Sequence, residues 1–146
     1  MIGHVSRVNN MQASRNGINM YSAANDCTVR MWDILNGICD TVFKFADPIS
    51  CIQMNEDQNL MITASWDKMI RIIDIEKRSI VKSFIGSQQT IKVIIVHGDT
   101  IFVGGCDPII RAYNIVTGDR SQYMGHQGWV YSLVIYKGLL FSGGDD

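Results

Sequence analysis

Ser22-Ala-Ala-Asn-Asp26, Thr63-Ala-Ser-Trp-Asp67, Val103-Gly-Gly-Cys-Asp107 and Ser142-Gly-Gly-Asp-Asp146 are four versions of one five-residue phrase. Their closing aspartates lie 41, 40 and 39 residues apart (26 to 67, 67 to 107, 107 to 146). Six residues after each of the first three comes an aromatic or apolar residue followed by Asp or Asn: Trp32-Asp33, Ile73-Asp74 and Tyr113-Asn114. A fixed period of this length means a repeat architecture, in which one supersecondary unit buries its apolar face only against its neighbours.

Working outward from the phrase, each unit divides into short apolar segments separated by turn residues. The first unit gives Val5 to Met11, Ile18 to Ser22, Thr28 to Trp32 and, after the hairpin signal Asn36-Gly37, Ile38 to Phe43. The second gives Ile49 to Met54, Leu60 to Ala64, Met69 to Ile73 and Ser79 to Phe84; the third Ile91 to Val96, Thr100 to Val103, Ile109 to Tyr113 and Asp119 to Tyr123. The fourth supplies Val130 to Ile135 and Leu139 to Ser142. These segments are rich in Ile, Val, Phe, Tyr and Thr, which suit a pleated, packed surface. Four antiparallel strands per repeat is the sequence form of propeller blades. A β-sandwich also shows short strands with regular turns, but it does not require an internal repeat.

With a Gly-His near the start of the first and last units (Gly3-His4, Gly125-His126) and a Trp-Asp in the first, the units resemble the WD40 family over essentially the whole chain. The expected fold is all-β: a WD40-type β-propeller, incomplete, with blades at residues 3–45, 46–85 and 86–124 and a half blade at 125–146. The resemblance implies a hydrogen-bonded tetrad in each blade. Its members are the His after Gly, the Ser or Thr before the turn, the turn Asp, and the Trp of the third strand. The first unit has all four, His4, Ser22, Asp26 and Trp32. The second keeps Thr63 and Asp67, with Asp47 near the histidine position and Ile73 for Trp; the third keeps Asp107, with Ser87 for His, Val103 for Ser and Tyr113 for Trp. The fourth keeps His126, Ser142 and Asp146. Packing between blades is expected to replace the missing members. Arg30, Arg71 and Arg111 recur four residues after the turn aspartates. They read either as braces for neighbouring carboxylates or as a periodic track for phosphates.

Propellers close with roughly 4–8 blades, so three and a half repeats read as part of a longer propeller or as a chain completed by another copy. The 146 residues carry 13 basic and 14 acidic side chains, a net charge of −1. That balance offers no electrostatic footprint for nucleic acid or acidic membranes. Cys27, Cys39, Cys51 and Cys106 show neither a C-x-x-C pair nor metal spacing with histidine and read as free buried thiols of a reducing compartment, cytoplasmic or nuclear. No nucleophile elbow, phosphate loop or metal constellation is present, so no cofactor and no catalytic residue is expected. His97-Gly98-Asp99 reads as a hairpin turn and Asp145 as a solvated charge.

The remaining informative residues are aromatic. Trp66 precedes Asp67 and Trp129 precedes the first strand of the fourth unit; neither is the motif Trp. By the resemblance both fall on the narrow top face around the central channel, with Arg7, Asn25, Lys92, Tyr131 and Asp145 at equivalent or adjoining positions. They are expected to anchor a protein or peptide partner, because Trp and Tyr bury large area with little entropy loss; packing against the next blade is the alternative. The expected function is a non-catalytic interaction scaffold. Alternatives are the recognition or targeting module of a multidomain enzyme (a ubiquitin ligase or kinase) and a nucleic-acid-binding propeller.

Overall fold

A computed structural model describes residues 3–146. The chain is all-β. Three four-stranded antiparallel sheets run β1(Val8–Ala13), β2(Asn19–Ala24), β3(Thr28–Asp33), β4(Ile38–Lys44); β5(Ile49–Asn55), β6(Leu60–Ser65), β7(Met69–Asp74), β8(Ser79–Ile85); and β9(Ile91–His97), β10(Thr100–Gly105), β11(Ile110–Asn114), β12(Arg120–Tyr123). A two-stranded sheet, β13(Val130–Tyr136) and β14(Leu139–Gly144), follows. Strand order equals chain order in every sheet, so each sheet is a simple meander. The first strand starts at Val8 rather than Val5, and a single 3-10 turn, Glu56–Gln58, joins β5 to β6.

The sheets pack face to face through their first strands: β1 meets β5, β5 meets β9, and β9 meets β13. Between the first two sheets lie Tyr21, Ala23, Val29 and Met31 on one side and Ile49, Ile52, Met61 and Ile73 on the other. Between the second and third lie Ile62, Ala64, Ile70 and Ile72 against Ile91, Ile94, Ile101 and Val103. Ile110 meets Val130 and Leu133 at the last interface. Ile49, Ile52, Ile62, Ile70, Ile73, Ile91 and Ile101 have no exposed surface. Burying each such side chain stabilises the packing by roughly 1.5–3 kcal/mol, and this is the dominant force holding the wedges together. Small residues set the closest approaches. A Cβ on Gly105 would collide with the Thr90 carbonyl oxygen, so the third sheet closes tightly there only because that position is bare. The arc is not closed among the described residues.

Candidate functional site

The four turn aspartates sit at one end of the sheets, and two different chemistries satisfy them. In the first sheet Asp26 accepts from His4 Nδ1 (2.9 Å), the Val5 amide (3.0 Å), the Thr28 amide (3.1 Å) and the Thr28 hydroxyl (2.6 Å). His4 Nε2 lies 2.6 Å from Ser22 Oγ, and Trp32 Nε1 donates to the same oxygen at 2.8 Å. One proton arrangement satisfies the whole chain: indole to hydroxyl, hydroxyl to Nε2, Nδ1 to carboxylate, with a neutral imidazole. Burial alone would raise the Asp26 pKa, but the donors from Thr28, His4 and Val5 outweigh it and hold the carboxyl at about 2. The fourth unit repeats the pattern. His126 bonds Asp146 (2.7 Å) and Ser142 (2.7 Å), and the Gln127 amide donates to Asp146 (3.1 Å).

The middle sheets use arginine. Arg71 Nη2 donates to Asp67 at 2.6 Å, and Arg111 Nη1 donates to both oxygens of Asp107 at 2.8 and 2.9 Å and to Ser87 at 3.3 Å. Ser87 Oγ also donates to Asp107 (3.0 Å). Apolar packing was the expected substitute for the missing tetrad members; a charge-assisted pair takes their place. Thr63 does not reach Asp67: its hydroxyl donates to the Arg71 carbonyl at 3.4 Å. Tyr113 does not join Asp107: its hydroxyl donates to the Gly86 carbonyl at 3.0 Å, and its ring leans on Phe84. Arg30 braces no carboxylate. In the first sheet histidine already fills that role, so Arg30 lies near the Trp32 ring instead (5.9 Å) and its Nε is buried without a partner. The thiols also differ from expectation: Cys51 alone is buried, and Cys27, Cys39 and Cys106 are partly exposed.

At the same end a second device recurs in all four units. The pairing of first and second strands skips one residue: Asn9 between Val8 and Asn10, Ser50 between Ile49 and Cys51, Lys92 opposite the Gly104–Gly105 step, and Tyr131 between Val130 and Ser132. A bulge of this kind turns one side chain out of the ladder. Four backbone bonds brace it: Asn25 to Arg7 (2.8 Å), Trp66 to Pro48 (3.0 Å), Cys106 to Thr90 (2.9 Å) and Asp145 to Trp129 (3.0 Å), each from amide to carbonyl. The bulge was missed in the sequence, although the spacing of the four positions is regular.

The bulged residues divide the arc. Asn9 is spent on Asn25 (2.7 Å) and the Ile49 carbonyl (2.8 Å), and Ser50 on the Ala64 carbonyl (3.1 Å). Lys92 and Tyr131 are not consumed in this way. The Lys92 ammonium lies 5.3 Å from the centre of the Trp66 ring, and Tyr131 meets Trp129 edge to face at 6.0 Å. Trp66, Trp129 and Tyr131 are 42, 45 and 48% exposed. Partial desolvation pushes the Tyr131 phenol up, helped by Asp145 and Cys106 nearby. Asp145 and Arg7 are exposed. Three aromatic side chains, a cation and an anion therefore line the loops of the second to fourth units. Among the described residues no cluster of His, Cys, Asp and Glu could hold a metal ion, and no helix is long and apolar enough to cross a membrane.

Comparison with known proteins agrees with this architecture. The family model "WD domain, G-beta repeat" matches residues 1–33 and 37–74. The DENN domain and WD repeat-containing protein SCD1 of Arabidopsis thaliana is 26% identical over 90% of this chain and 11% of its own length. Zinc finger CCCH domain-containing protein 63 of Arabidopsis thaliana is 26% identical over 99% of this chain and 23% of its own. The solved WD40 repeats of RRP9 superpose with a TM-score of 0.82 at 18% identity, over 90% of this chain and 42% of theirs. The chain thus spans less than half the length of each of these proteins.

Proposed function

The chain carries repeats of the WD40 family, whose propellers are generally non-catalytic interaction modules, and from that premise we propose that it is a protein-interaction scaffold docking its partner on the bulged end of the second to fourth units. The observation that carries the reading is the asymmetry of that end. Asn9 and Ser50 spend their polar atoms internally, whereas Trp66, beside a partly buried Lys92, and the paired Trp129 and Tyr131 stay open to solvent. Rigid aromatic groups beside a charge are the usual composition of an interface anchor. Arg7, Asn25 and Asp145 form the polar surround, and the repeat boundaries at 45/46, 85/86 and 124/125 separate the units that present it. The partner is a protein or peptide, met in the cytoplasm or nucleus.

A second reading has one observation in its favour. The two Arabidopsis relatives carry, by their names, a DENN domain and a zinc-finger domain in far longer chains. The repeats would then be the targeting part of a multidomain protein. Both readings use the same surface.

The test is capture of partners with this chain as bait, followed by comparison of Trp66→Ala and Trp129→Ala. Binding that is lost in these variants and insensitive to salt is the expected result. Binding that falls steeply between about 50 and 200 mM salt and ignores both substitutions marks a nucleic-acid binder instead.

A further inference from the structure

Between the second and third sheets, both complete, a polar groove of about 310 Å³ opens beside the end of β8 and along β12. Its walls carry two guanidiniums, Arg111 and Arg120, and no carboxylate. The register sets Arg111 opposite Gln122 and Tyr113 opposite Arg120, so all four share the face of the third sheet that meets Phe84 of the second. Arg111 is 7% exposed, and every bond its guanidinium makes within the protein leaves from Nη1, to Asp107, Ser87 and the Ile109 carbonyl. Nε and Nη2, the two parallel donors that grip an oxyanion in bidentate fashion, have no partner among the described residues. Unlike Nη1 of Arg71, they are not sealed from solvent. Arg120 is exposed, pairs with no carboxylate among the described residues, and lies 5.6 Å from the centre of the Tyr113 ring.

The second sheet shows why this groove is open. There Phe45 lies over the equivalent Arg71, its ring centre 5.5 Å from the guanidinium carbon, and Nη1 of Arg71 is enclosed. Gly86 is the counterpart of Phe45: their amides donate to the Lys68 and Cys27 carbonyls, each one residue beyond a turn aspartate. With no side chain at Gly86, Arg111 stays uncovered. The backbone there presses against Ile70, where even a Cβ would collide.

We infer that this groove is a binding site for a phosphate monoester, gripped by the Nε–Nη2 edge of Arg111 and by Arg120, with Gln88, Ser121 and Gln122 as further donors. A phosphate monoester brings a charge of about −1.5 to −2 and three strong acceptor oxygens. That suits two cations among neutral donors better than the single charge and two oxygens of a carboxylate. Asp107 does not oppose it, because its charge is spent on Nη1 of Arg111 and on Ser87. The volume is at the lower end for ligand pockets, so the site takes a small group rather than a whole cofactor. The ester is carried on a side chain of a partner polypeptide or on a small free molecule; the chemistry at Arg111 is the same for both. Trp66, Lys92, Trp129 and Tyr131 take no part in the groove, so the site stands apart from the docking surface proposed above.

The test follows the arginine Nε–H resonances of the isotope-labelled 146-residue chain by NMR. Three probes are titrated: a capped tripeptide of glycine, phosphoserine and glycine, inorganic phosphate, and acetate. The expected result is a saturable shift of the Arg111 Nε–H with the phosphate probes, at least about tenfold weaker with acetate, while Arg30, whose Nε is buried, stays still. Arg120→Gln should weaken binding about tenfold, the scale of one charge-assisted hydrogen bond. Arg120 is exposed and holds no carboxylate, so this change leaves the Asp107 pair intact. Binding of the tripeptide about tenfold tighter than inorganic phosphate assigns the ester to a partner polypeptide; equal or weaker binding assigns it to a small free molecule. No shift at Arg111, equal shifts at Arg30, acetate binding as tightly as phosphate, or an Arg120→Gln titration identical to the wild type each overturns the inference.

Discussion

The first and second sheets share strand order, register and turn, yet they hold their turn aspartates in opposite ways. Around Asp26 the donors come from three places: the segment before β1, the start of β3 at Thr28 and, through His4 and Ser22, Trp32 near the end of β3. The network therefore ties the incoming chain to two strands, β2 and β3. Asp67 is held by Arg71, only four residues on in the same hairpin, and the second terminal nitrogen of that arginine, Nη1, is buried without a partner. The carboxylate of the second sheet is neutralised but stitches nothing distant together. The third sheet lies between: Ser87, from the segment before β9, joins Asp107 and Arg111. A blade thus forms on packing and a local ion pair without the His–Trp network, and the network adds attachment of its leading segment.

Removing the two carboxylates separates these roles most sharply. Asp26→Ala should lower unfolding free energy by about 3 kcal/mol, since it strands several buried donors at once. Asp67→Ala should cost about 1–2 kcal/mol, because its local pair is already imperfect. Equal losses in urea denaturation contradict the comparison.

Acid gives the next largest effect. The Asp26 carboxyl sits at about 2 in the fold against a usual value of 3.8. Its contribution, about 2 kcal/mol, is complete above the unfolded value and disappears as pH falls through the folded one. The stability gap between the wild type and Asp26→Asn should therefore shrink between about pH 4 and pH 2. A gap that is constant over this window refutes the assignment. Trp32→Phe should cost about 1 kcal/mol, the loss of one donor to Ser22, read by thermal melting. Arg30→Met is the smallest, within about 0.5 kcal/mol of the wild type, since Arg30 holds no carboxylate. A loss matching that of Arg71→Met would mean that Arg30 braces a partner after all.

Most strands were legible because repeat spacing and turn residues agree in every unit. Every strand but β1 lies within two residues of the bounds that the apolar segments predict. β1 begins at Val8, later than the apolar segment from Val5 predicts, since Val5 lies beside the turn aspartate, where its amide serves Asp26 rather than a ladder. The 3-10 turn at Glu56–Gln58 was missed because Glu-Asp-Gln reads only as a polar loop. The arginine pairs were half legible: bracing of carboxylates is one of the two readings the sequence offers for Arg30, Arg71 and Arg111, and it holds for Arg71 and Arg111 but not for Arg30. An arginine at that position is present in all three complete units, so its presence alone distinguishes nothing. The informative signal is joint: where histidine and tryptophan are both absent, the arginine is free to turn onto the aspartate, as Arg71 and Arg111 do. Where both are present, as beside Arg30, the carboxylate is already saturated. The bulges left no mark on residue type, since Asn9, Ser50, Lys92 and Tyr131 share no chemistry; what they share is their place in the repeat, which puts Lys92 and Tyr131 among the expected top-face residues, while the bulge itself shows only in the pairing.

The central claim, that the bulged end of the later units is the working surface, is tested most directly by hydroxyl-radical footprinting of the chain alone and bound to a captured partner. The account predicts protection concentrated at Trp66, Trp129 and Tyr131, with Ile38 on β4 and Val81 on β8, exposed on the outer rim, unchanged. Protection of the rim with those three residues still fully reactive would contradict it.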